Sequence, residues 1–297
     1  MRDMALEVKD GNRNYLAVSM LKEIYEARKD VKSYVALCEV LGEVTPDDCE
    51  SLAKICIKRR RHAEALEWVE KGLELNKEER FKMRTGWELP KLQRDLLQAL
   101  GRGGDAFDLA WEDFQRSPSV YTYSILQKFV KKSQRAEWKG KVLKALASAG
   151  LSHRIGVLVT MKEWDCVAIE LATAPRRELG RLDYFGIPPI AEHFRESRPE
   201  LAAKLYIALA EEILDRKRSK HYEVALHHLE FAHKLLQKAG REKEWEDFVQ
   251  EIRGTHWLKS AFMPRFERLV AGISIVKPTL KDRALKRWGK DSGGEKK

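Results

Sequence analysis

Residues that interrupt helices are scarce in this sequence, with 18 Gly and 9 Pro among 297 residues. A fold built of many short strands needs frequent turns, and Gly and Pro are the residues that favour those turns. Their scarcity excludes such a fold and favours long helices joined by short connections. A run of about 18 consecutive apolar residues is also missing, so we expect no membrane-spanning helix and no membrane partner.

Cysteine is scarce too, and its spacing excludes the common structural uses of thiols. None of the four cysteines (Cys38, Cys49, Cys56 and Cys166) belongs to a Cys-x-x-Cys pair, so neither a disulfide framework nor a zinc knuckle is indicated. Residues 1–15 carry charges of both signs and no apolar stretch, unlike a secretory signal. We therefore expect a cytoplasmic protein without a metal or cofactor, in which Cys49 and Cys56 are small buried residues on one helix face.

The basic charge is concentrated near the end of the sequence. The formal net charge is +10, from 56 Lys and Arg against 46 Asp and Glu. Residues 277–297 include eight basic and three acidic residues, so half of the excess, +5, lies there. We expect a helical-repeat domain over residues 1–276, with charges of both signs on a solvated surface, and a flexible basic tail over residues 277–297.

Apolar residues recur at the spacing of an α-helix along nearly the whole chain. Within 31–41 the apolar positions form one stripe, Val31, Tyr34, Val35, Leu37, Cys38 and Leu41. The segment Thr45-Pro46-Asp47-Asp48 has the composition of a helix start, with a capping hydroxyl, a proline in the first turn and acids at the positive end. The pattern predicts an all-α fold.

Helix boundaries can be placed from this periodicity and from the breakers. The segment Ile155–Thr160 is the one rival for a strand, and we expect it to be a buried helix. Breaks are expected at 101–104, 117–118, 150, 186–189, 198–199 and 240. The other helices are expected at 46–59, 62–75, 89–100, 105–116, 119–132, 136–149, 163–172, 198–216, 220–239, 241–253 and 257–271.

Small residues recur at a spacing that predicts how these helices pair. Two helices approach closely only where their side chains are small, and Ala53, Ala65 and Gly72 provide such contacts within 48–77. This segment resembles a tetratricopeptide unit, a hairpin of two antiparallel helices. The spacing of Ala65, Val69 and Gly72 returns at Ala110, Phe114 and Ser117 and at Ala225, Leu229 and Ala232. The repeats predict a tetratricopeptide-like α-solenoid of antiparallel helix hairpins.

The same features, taken in order, resemble a known family. They are His62-Ala63-Glu64-Ala65-Leu66-Glu67-Trp68 with Gly72-Leu73, Leu109-Ala110-Trp111-Glu112-Asp113-Phe114 with Ser117-Pro118-Ser119 and Tyr123, then Ala203, Leu205, Tyr206, Tyr222, Ala225, Leu229, Gly240-Arg241, Trp245, Phe248, Arg253 and Phe262-Met263. Residues 20–272 are thereby similar to the C-terminal helical region of bacterial SWIM zinc-finger family proteins. The resemblance implies a tetratricopeptide-like array with no established activity. The Cys-x-Cys and Cys-x-His pairs of the family's finger are missing, so its zinc and nucleic-acid associations do not transfer.

Candidate catalytic and metal motifs are incomplete. Glu230 and His233 form a Glu-x-x-His, but a di-iron site needs a second copy that the sequence lacks. The glycines at 101–104 lack the Gly-Lys-Ser/Thr ending of a phosphate loop. Neither a Gly-x-Ser-x-Gly elbow nor a His-Glu-x-x-His is present, so we expect no enzymatic activity.

Three basic clusters are the remaining candidates for binding. They lie at 58–62, at 216–221 and within 281–290 of the basic tail. If the last two hairpins stack, residues from 253–259 join the second cluster, and that set is the best candidate for binding an acidic partner. Its members are Arg216, Lys217, Arg218, Lys220, His221, Arg253, His256 and Lys259.

Two functions are consistent with these observations. The first is a non-catalytic scaffold that mediates protein–protein interaction, with a protein or peptide partner lying on the surface of the stacked hairpins. The alternative is a nucleic-acid-associated accessory protein that acts through the basic clusters and the basic tail. The sequence leaves open the identity of the partner, the binding face and the oligomeric state.

Overall fold

A computed structural model describes residues 11–78, 81, 86–182 and 186–273 of the chain. The chain divides into two compact units, Met1–Ala149 (unit 1) and Gly150–Lys297 (unit 2). The helical-repeat domain predicted over residues 1–276 spans both units. Its expected boundary with the basic tail, and the tail itself, lie outside the described residues.

The described residues form α-helices, turns and short 3-10 segments, and none of them lies in a strand. The predicted all-α class is therefore confirmed for this part of the chain. None of the described helices combines the length and the apolar character needed to cross a membrane. The helices of unit 1 are α1 (Gly11–Arg28), α2 (Val31–Val40), α3 (Pro46–Lys58), α4 (His62–Leu75), α5 (Leu89–Ala99), α6 (Gly103–Arg116), α7 (Val120–Phe129) and α8 (Arg135–Leu146).

Unit 2 continues with helices of more varied length. The longest are two helices of 17 residues that pack on each other, α13 and α14. A 3-10 turn at Ser219–His221 joins them. The helices of this unit are α9 (Leu151–Met161), α10 (Trp164–Thr173), α11 (Arg176–Leu179), α12 (Ile187–Phe194), α13 (Pro199–Asp215), α14 (Tyr222–Lys238), α15 (Glu242–His256) and α16 (Met263–Val270).

Local signals of the sequence are confirmed where they depend on a few neighbouring residues. Thr45 caps α3, because its hydroxyl accepts a hydrogen bond from the Asp48 backbone N–H while the Asp48 carboxylate accepts one from the Thr45 N–H. The segment Ile155–Thr160 lies inside α9, as predicted. The two cysteines predicted to be small buried residues, Cys49 and Cys56, have no exposed surface.

The breaks predicted at 101–104 and 186–189 are present but shorter than predicted, and the position of each residue in its helix explains why. Gly103 and Gly104 occupy the first turn of α6, whose backbone N–H groups have no helical partner in any case, and the turn is made by Gly101 at a φ of +78°. Pro188 and Pro189 lie in the first turn of α12, where a missing N–H costs nothing. Breakers at these positions start helices instead of ending them.

Four helices differ from their sequence-based expectation in existence or extent, and one of them is α12, which lies where only a break was predicted. The periodicity predicted no helix at α1, because its apolar residues are spread around the helix and form no single apolar face. The four-residue α11 is too short for a periodic signal. Helix α16 begins at Met263, six residues after the expected start, because residues 257–262 form turns.

The small residues lie at close helix contacts, as expected for the first predicted hairpin. A Cβ atom added to Gly72 of α4 would lie 2.8 Å from the Cβ atom of Cys49 in α3 and 2.8 Å from a methyl carbon of Leu89 in α5. Ala53 and Ala65 have no exposed surface. In the later copies Ala225, Leu229 and Ala232 are all buried, as are Ala110 and Phe114, whereas Ser117 is exposed at the end of α6. Ser117 is therefore a helix terminus and not a packing contact.

A buried carboxylate joins the first three helices of unit 1. Asp48 is 2% exposed and accepts hydrogen bonds from the ammonium of Lys22 in α1, the hydroxyl of Tyr34 in α2 (2.9 Å) and the hydroxyl of Thr45 (2.8 Å). We call these four residues the Asp48 junction. Burial raises the pKa of Asp48, but the hydrogen bonds from Lys22 and Thr45 outweigh burial and hold that pKa below its ordinary value. The junction is therefore a stabilising ionic contact.

Candidate functional site

Two adjoining cavities in unit 2 form an open groove along α13 and α15. The larger has a volume of about 520 Å³ and the smaller about 340 Å³. Both are lined by Arg176 of α11 and Glu251 of α15, so they meet at these two side chains. We call the two cavities together the α13–α15 groove.

The face that α13 presents to the groove follows from its sequence. Glu200, Lys204, Ile207, Glu211 and Asp215 recur at intervals of three or four residues and therefore lie on one side of the helix. The same spacing places acids of α15 along the opposite wall. The groove is thus built from regular helices, which hold its side chains more firmly than loops do.

Arg176 lies at the meeting point of the two cavities and holds three helices together. Its guanidinium is 3.2 Å from a carboxylate oxygen of Glu211 in α13 and 2.5 Å from one of Glu251 in α15. It also lies over the ring of Phe248, 5.4 Å from the ring centre. The charge of Arg176 is therefore already balanced within the groove.

Burial changes the ionisation of Glu211. It raises the pKa of this carboxyl to about 7, although the neighbouring Arg176 acts in the opposite direction. His256, at the end of the smaller cavity, has its pKa lowered by burial and by Lys259. The charge of this part of the groove therefore changes with pH near neutrality.

The cation of Lys204 is directed at backbone oxygens. Its ammonium donates hydrogen bonds to the carbonyls of Leu171 (2.8 Å) and Ala172 (2.7 Å), in the last turn of α10. Carbonyls at a helix C-terminus carry partial negative charge and have no helical partner, so a lysine there stabilises the end of α10. Burial, with a contribution from Arg176, lowers the pKa of Lys204.

Carboxylates outnumber cations among the described lining residues. Four carboxylates line each cavity, with Glu251 shared, against the four cations Arg176, Arg177, Lys204 and Arg241. Three of these carboxylates, Glu200, Asp215 and Asp247, form no ion pair with another described residue. The groove is therefore acidic.

The basic residues predicted to bind an acidic partner are only in part brought together. Arg216, Arg218 and His221 line a separate cavity of about 300 Å³ at the turn between α13 and α14. Lys259 joins this turn, because its ammonium donates to the carbonyl of Leu214 (3.0 Å) and lies 5.9 Å from the ring centre of Tyr222. Lys217 and Lys220 are exposed in the same turn, where Lys217 has a φ of +54°.

The other two predicted residues have different surroundings. The guanidinium of Arg253 makes two hydrogen bonds with the carboxylate of Glu267 in α16, at 2.9 and 2.7 Å. His256 lines the α13–α15 groove. Arg216 itself is 2.8 Å from a carboxylate oxygen of Glu212. The predicted set is thus divided between the α13–α14 turn, an ion pair with α16 and the acidic groove.

Two further sequence motifs also have structural partners. In the 58–62 cluster, Arg59 donates to the carbonyl of Lys29 (3.2 Å) and Arg61 is 3.2 Å from Glu64. In the Glu-x-x-His motif, the carboxylate of Glu230 is 2.8 Å from the ammonium of Lys234 and the ring of His233 stacks on Trp245. These side chains contribute to local packing.

The acidic groove was not predicted, because its charged residues are not consecutive in the sequence as those of the basic clusters are. A signal was present in the spacing of the acids, since Glu211 and Asp215, and likewise Asp247 and Glu251, are four residues apart. That spacing is also typical of solvated helix faces, so it does not by itself indicate a groove.

Comparison with curated proteins and comparison with solved structures gave no match. The resemblance to SWIM zinc-finger proteins stays a prediction. The model of a family of unknown function, DUF6880, matches residues 1–265, and the chain therefore belongs to that family.

Proposed function

We propose that the protein is a non-catalytic helical-repeat scaffold that binds a segment of a protein partner in the α13–α15 groove. The observation that carries this proposal is the groove itself, two adjoining cavities lined by α13, α15 and Arg176 of α11. An open channel along two helices suits an extended chain or a helix better than an enclosed small molecule.

The proposal includes the tetratricopeptide-like architecture. Its support is the order of packing, because α3 packs on α4, α4 on α5, α5 on α6 and α6 on α7. Contacts between successive elements are typical of repeat proteins, in which each unit contacts its neighbours. The tight approach of α3 and α4 at Gly72 is the contact that a tetratricopeptide hairpin requires.

The dimensions of the groove set the length of the bound segment. The 17 residues of α13 extend ~25 Å at a rise of 1.5 Å per residue. An extended chain advances about 3.3 Å per residue, so roughly eight residues of a partner would span the groove.

The side chains that line the groove also favour a binding role over catalysis. Thr255 is the one hydroxyl-bearing residue among the described lining residues of the groove, and its hydroxyl donates to the carbonyl of Glu251 (2.8 Å). A nucleophile needs a neighbouring base to accept its proton, and this hydroxyl is directed at a backbone oxygen instead.

The test blocks the groove by size without changing its charge. Ala172 is exposed and lines the larger cavity, whereas Ala261 is exposed in unit 2 and lines neither cavity. Partners are first identified by proximity labelling in the native cell and then captured with purified wild-type, Ala172→Trp and Ala261→Trp proteins. We expect one partner to be retained by the wild type and by Ala261→Trp and lost with Ala172→Trp. Equal recovery with all three proteins would contradict binding in the groove.

The nucleic-acid role is the second candidate, and the observation that favours it is the basic cavity at the α13–α14 turn. Arg216, Arg218 and His221 line it, and Lys217 and Lys220 are exposed beside it. Binding there would weaken steeply between about 50 and 200 mM salt, because phosphate contacts release counterions. A filter-binding titration with single-stranded and duplex DNA and RNA tests this role, and Arg218→Glu should weaken any binding that is detected if the α13–α14 turn contributes to it.

A further inference from the structure

The chemistry of the α13–α15 groove restricts what can lie in it. We propose that its occupant is an extended segment of a partner protein that carries lysine or arginine side chains. The inference rests on the proposed scaffold function and adds the chemical class of the segment.

Three of the four cations of the groove are already engaged, and the fourth, Arg177, is exposed and lines the smaller cavity. Arg176 is paired with Glu211 and Glu251, and Lys204 donates to two backbone carbonyls. Arg241 is 2.5 Å from a carboxylate oxygen of Glu244. An acidic segment would have to displace these contacts, whereas a basic segment would not.

Two carboxylates of the groove are not neutralised by these cations. Asp215 is the last residue of α13, where the negative end of the helix disfavours an anion. Asp247 lies in the middle of α15 and forms no ion pair with another described residue. A cation from outside could therefore pair with either carboxylate without displacing an existing ion pair.

The larger cavity also offers apolar surface beside its carboxylates. The floor of the larger cavity is apolar, with Leu201, Ile207, Leu236 and Phe248 between 2% and 7% exposed. Lysine and arginine have long aliphatic stems below their charged groups, and these stems pack well on apolar surface while the cations reach carboxylates at the rim. A small cation or a short polar side chain would leave this floor uncovered.

The groove accordingly disfavours nucleic acid. Phosphates would meet an excess of carboxylates and gain no counterion release. The basic cavity at the α13–α14 turn is a separate surface, so nucleic-acid binding there is compatible with a basic peptide in the groove.

The experiment measures peptide affinity by fluorescence anisotropy with the full chain. The probe is a fluorescein-labelled peptide of about nine residues in which lysine alternates with serine, since alternate side chains of an extended chain point to the same side. A second peptide has glutamate in place of each lysine. We expect the lysine peptide to bind and the glutamate peptide not to bind.

Two charge reversals on one helix separate groove binding from general attraction. Asp247→Lys reverses a charge inside the groove, and Glu246→Lys reverses its exposed neighbour, which does not line the groove. Affinity for the lysine peptide should fall about tenfold with Asp247→Lys and less than about twofold with Glu246→Lys, because only the first places like charges in contact. If Asp247→Lys fails to fold, Asp215→Lys replaces it. Equal losses with the two variants would overturn the proposal.

Two other occupants of the groove would contradict the proposal of a basic partner segment, and each would give a distinct experimental result. A full-length variant with the lysines and arginines of 277–297 changed to glutamine should bind the peptide as the wild type does, and a rise of about tenfold would identify the chain's own tail as the occupant. Light scattering should show the same mass for the wild type and Asp247→Lys, and dissociation of a dimer by the substitution would identify a second copy.

Failure of this inference can be told apart from failure of the scaffold function. If a partner is lost with Ala172→Trp but the lysine peptide does not bind, the groove is a binding site for a segment of different chemistry. If neither result is obtained, the groove is not the binding site.

Discussion

The Asp48 junction of unit 1 and the α13–α15 groove of unit 2 are both built from charged side chains, but they differ in how those charges are satisfied. In the junction, a carboxylate with 2% of its surface exposed receives hydrogen bonds from an ammonium and two hydroxyls. In the groove, Asp215 and Asp247 are exposed and form no ion pair with another described residue.

The difference separates charges that stabilise the fold from charges that are available to a partner. A buried carboxylate costs much free energy unless its partners are in place, so the junction constrains α1, α2 and α3. Exposed carboxylates contribute little to stability and keep their capacity for a new contact. Substitutions in the junction should therefore change stability, and substitutions in the groove should change binding.

The largest expected effect is at the junction. Asp48→Asn removes the charge that Lys22 faces and should lower the free energy of unfolding by about 3 kcal/mol. Asp47→Asn, at an exposed neighbour, is the control and should have an effect below about 0.5 kcal/mol. Urea unfolding at neutral pH measures both, and similar values for the two variants would contradict a structural role for the junction.

The same junction predicts a dependence on pH. The folded-state pKa of Asp48 lies below its ordinary value, so its stabilisation is present above the unfolded-state pKa and is lost as pH falls through the folded-state pKa. The stability gap between wild type and Asp48→Asn should therefore shrink below about pH 4. A gap that stays constant in acid would show that the carboxylate charge is not what stabilises the junction.

The second effect compares close helix contacts in the two units. Gly72→Ala places a Cβ atom 2.8 Å from Cys49, and Gly180→Ala places one 2.7 Å from the carbonyl oxygen of Ala208. Each substitution should lower the unfolding free energy by about 1–3 kcal/mol through overpacking. Gly104→Ala, with no neighbour within 4 Å of the new atom, should leave stability equal or slightly raised. A similar loss at all three positions in thermal unfolding would indicate a general intolerance of alanine, not close packing.

The third effect is a change of the unfolding free energy with pH, caused by Glu211 of unit 2. Its sign is opposite to that of the change expected at the Asp48 junction. Burial raises the pKa of Glu211 to about 7, so the folded state favours the neutral carboxyl and the wild type loses stability as pH rises from about 4.5 to about 7. Glu211→Gln should therefore be more stable than the wild type at about pH 8, by roughly 1–2 kcal/mol, and close to it at about pH 5.

The measurement for Glu211 is urea unfolding at these two pH values. Arg176, Glu251 and Asp215 face the carboxyl and are unchanged in the variant. Glu212→Gln is the control, because Glu212 is paired with Arg216. A Glu211→Gln variant that is less stable than the wild type at both pH values would show that the pairing with Arg176 outweighs burial.

The smallest effect on stability is expected at the groove acids. Asp247→Lys and Glu246→Lys should each change the unfolding free energy by less than about 0.5 kcal/mol, because both residues are exposed and form no ion pair with another described residue. Unfolding by urea, carried out on the samples used for peptide binding, measures this. A loss above about 2 kcal/mol at Asp247 would place that residue with the structural charges of unit 1.

Much of the fold could be predicted because its signals are local. The cap at Thr45 and the helix over Ile155–Thr160 each depend on a few neighbouring residues. The close contact at Gly72 joins α4 to Cys49 of α3 and Leu89 of α5, and the small residues of these successive helices indicated it. Helix α1 was not predicted, because its apolar residues lie on several sides of the helix and so give no amphipathic pattern.

The candidate site was harder to predict, because it depends on which helices lie side by side. Arg176 is distant in sequence from Glu211 and Glu251, and nothing in the spacing of these residues shows that one guanidinium contacts both carboxylates. The basic set predicted around 216–221 was visible as consecutive residues, yet Arg253 is paired with Glu267 and His256 lines the groove. Consecutive charges are easy to find in a sequence, whereas a groove joins residues that are far apart in it.

The most direct test of the account is hydrogen–deuterium exchange of the full chain with and without the lysine peptide. The account predicts slower amide exchange in α13 and α15, residues 199–215 and 242–256, and unchanged exchange in α3 and α4 of unit 1. Protection spread over both units, or confined to α3 and α4, would contradict a binding groove between α13 and α15.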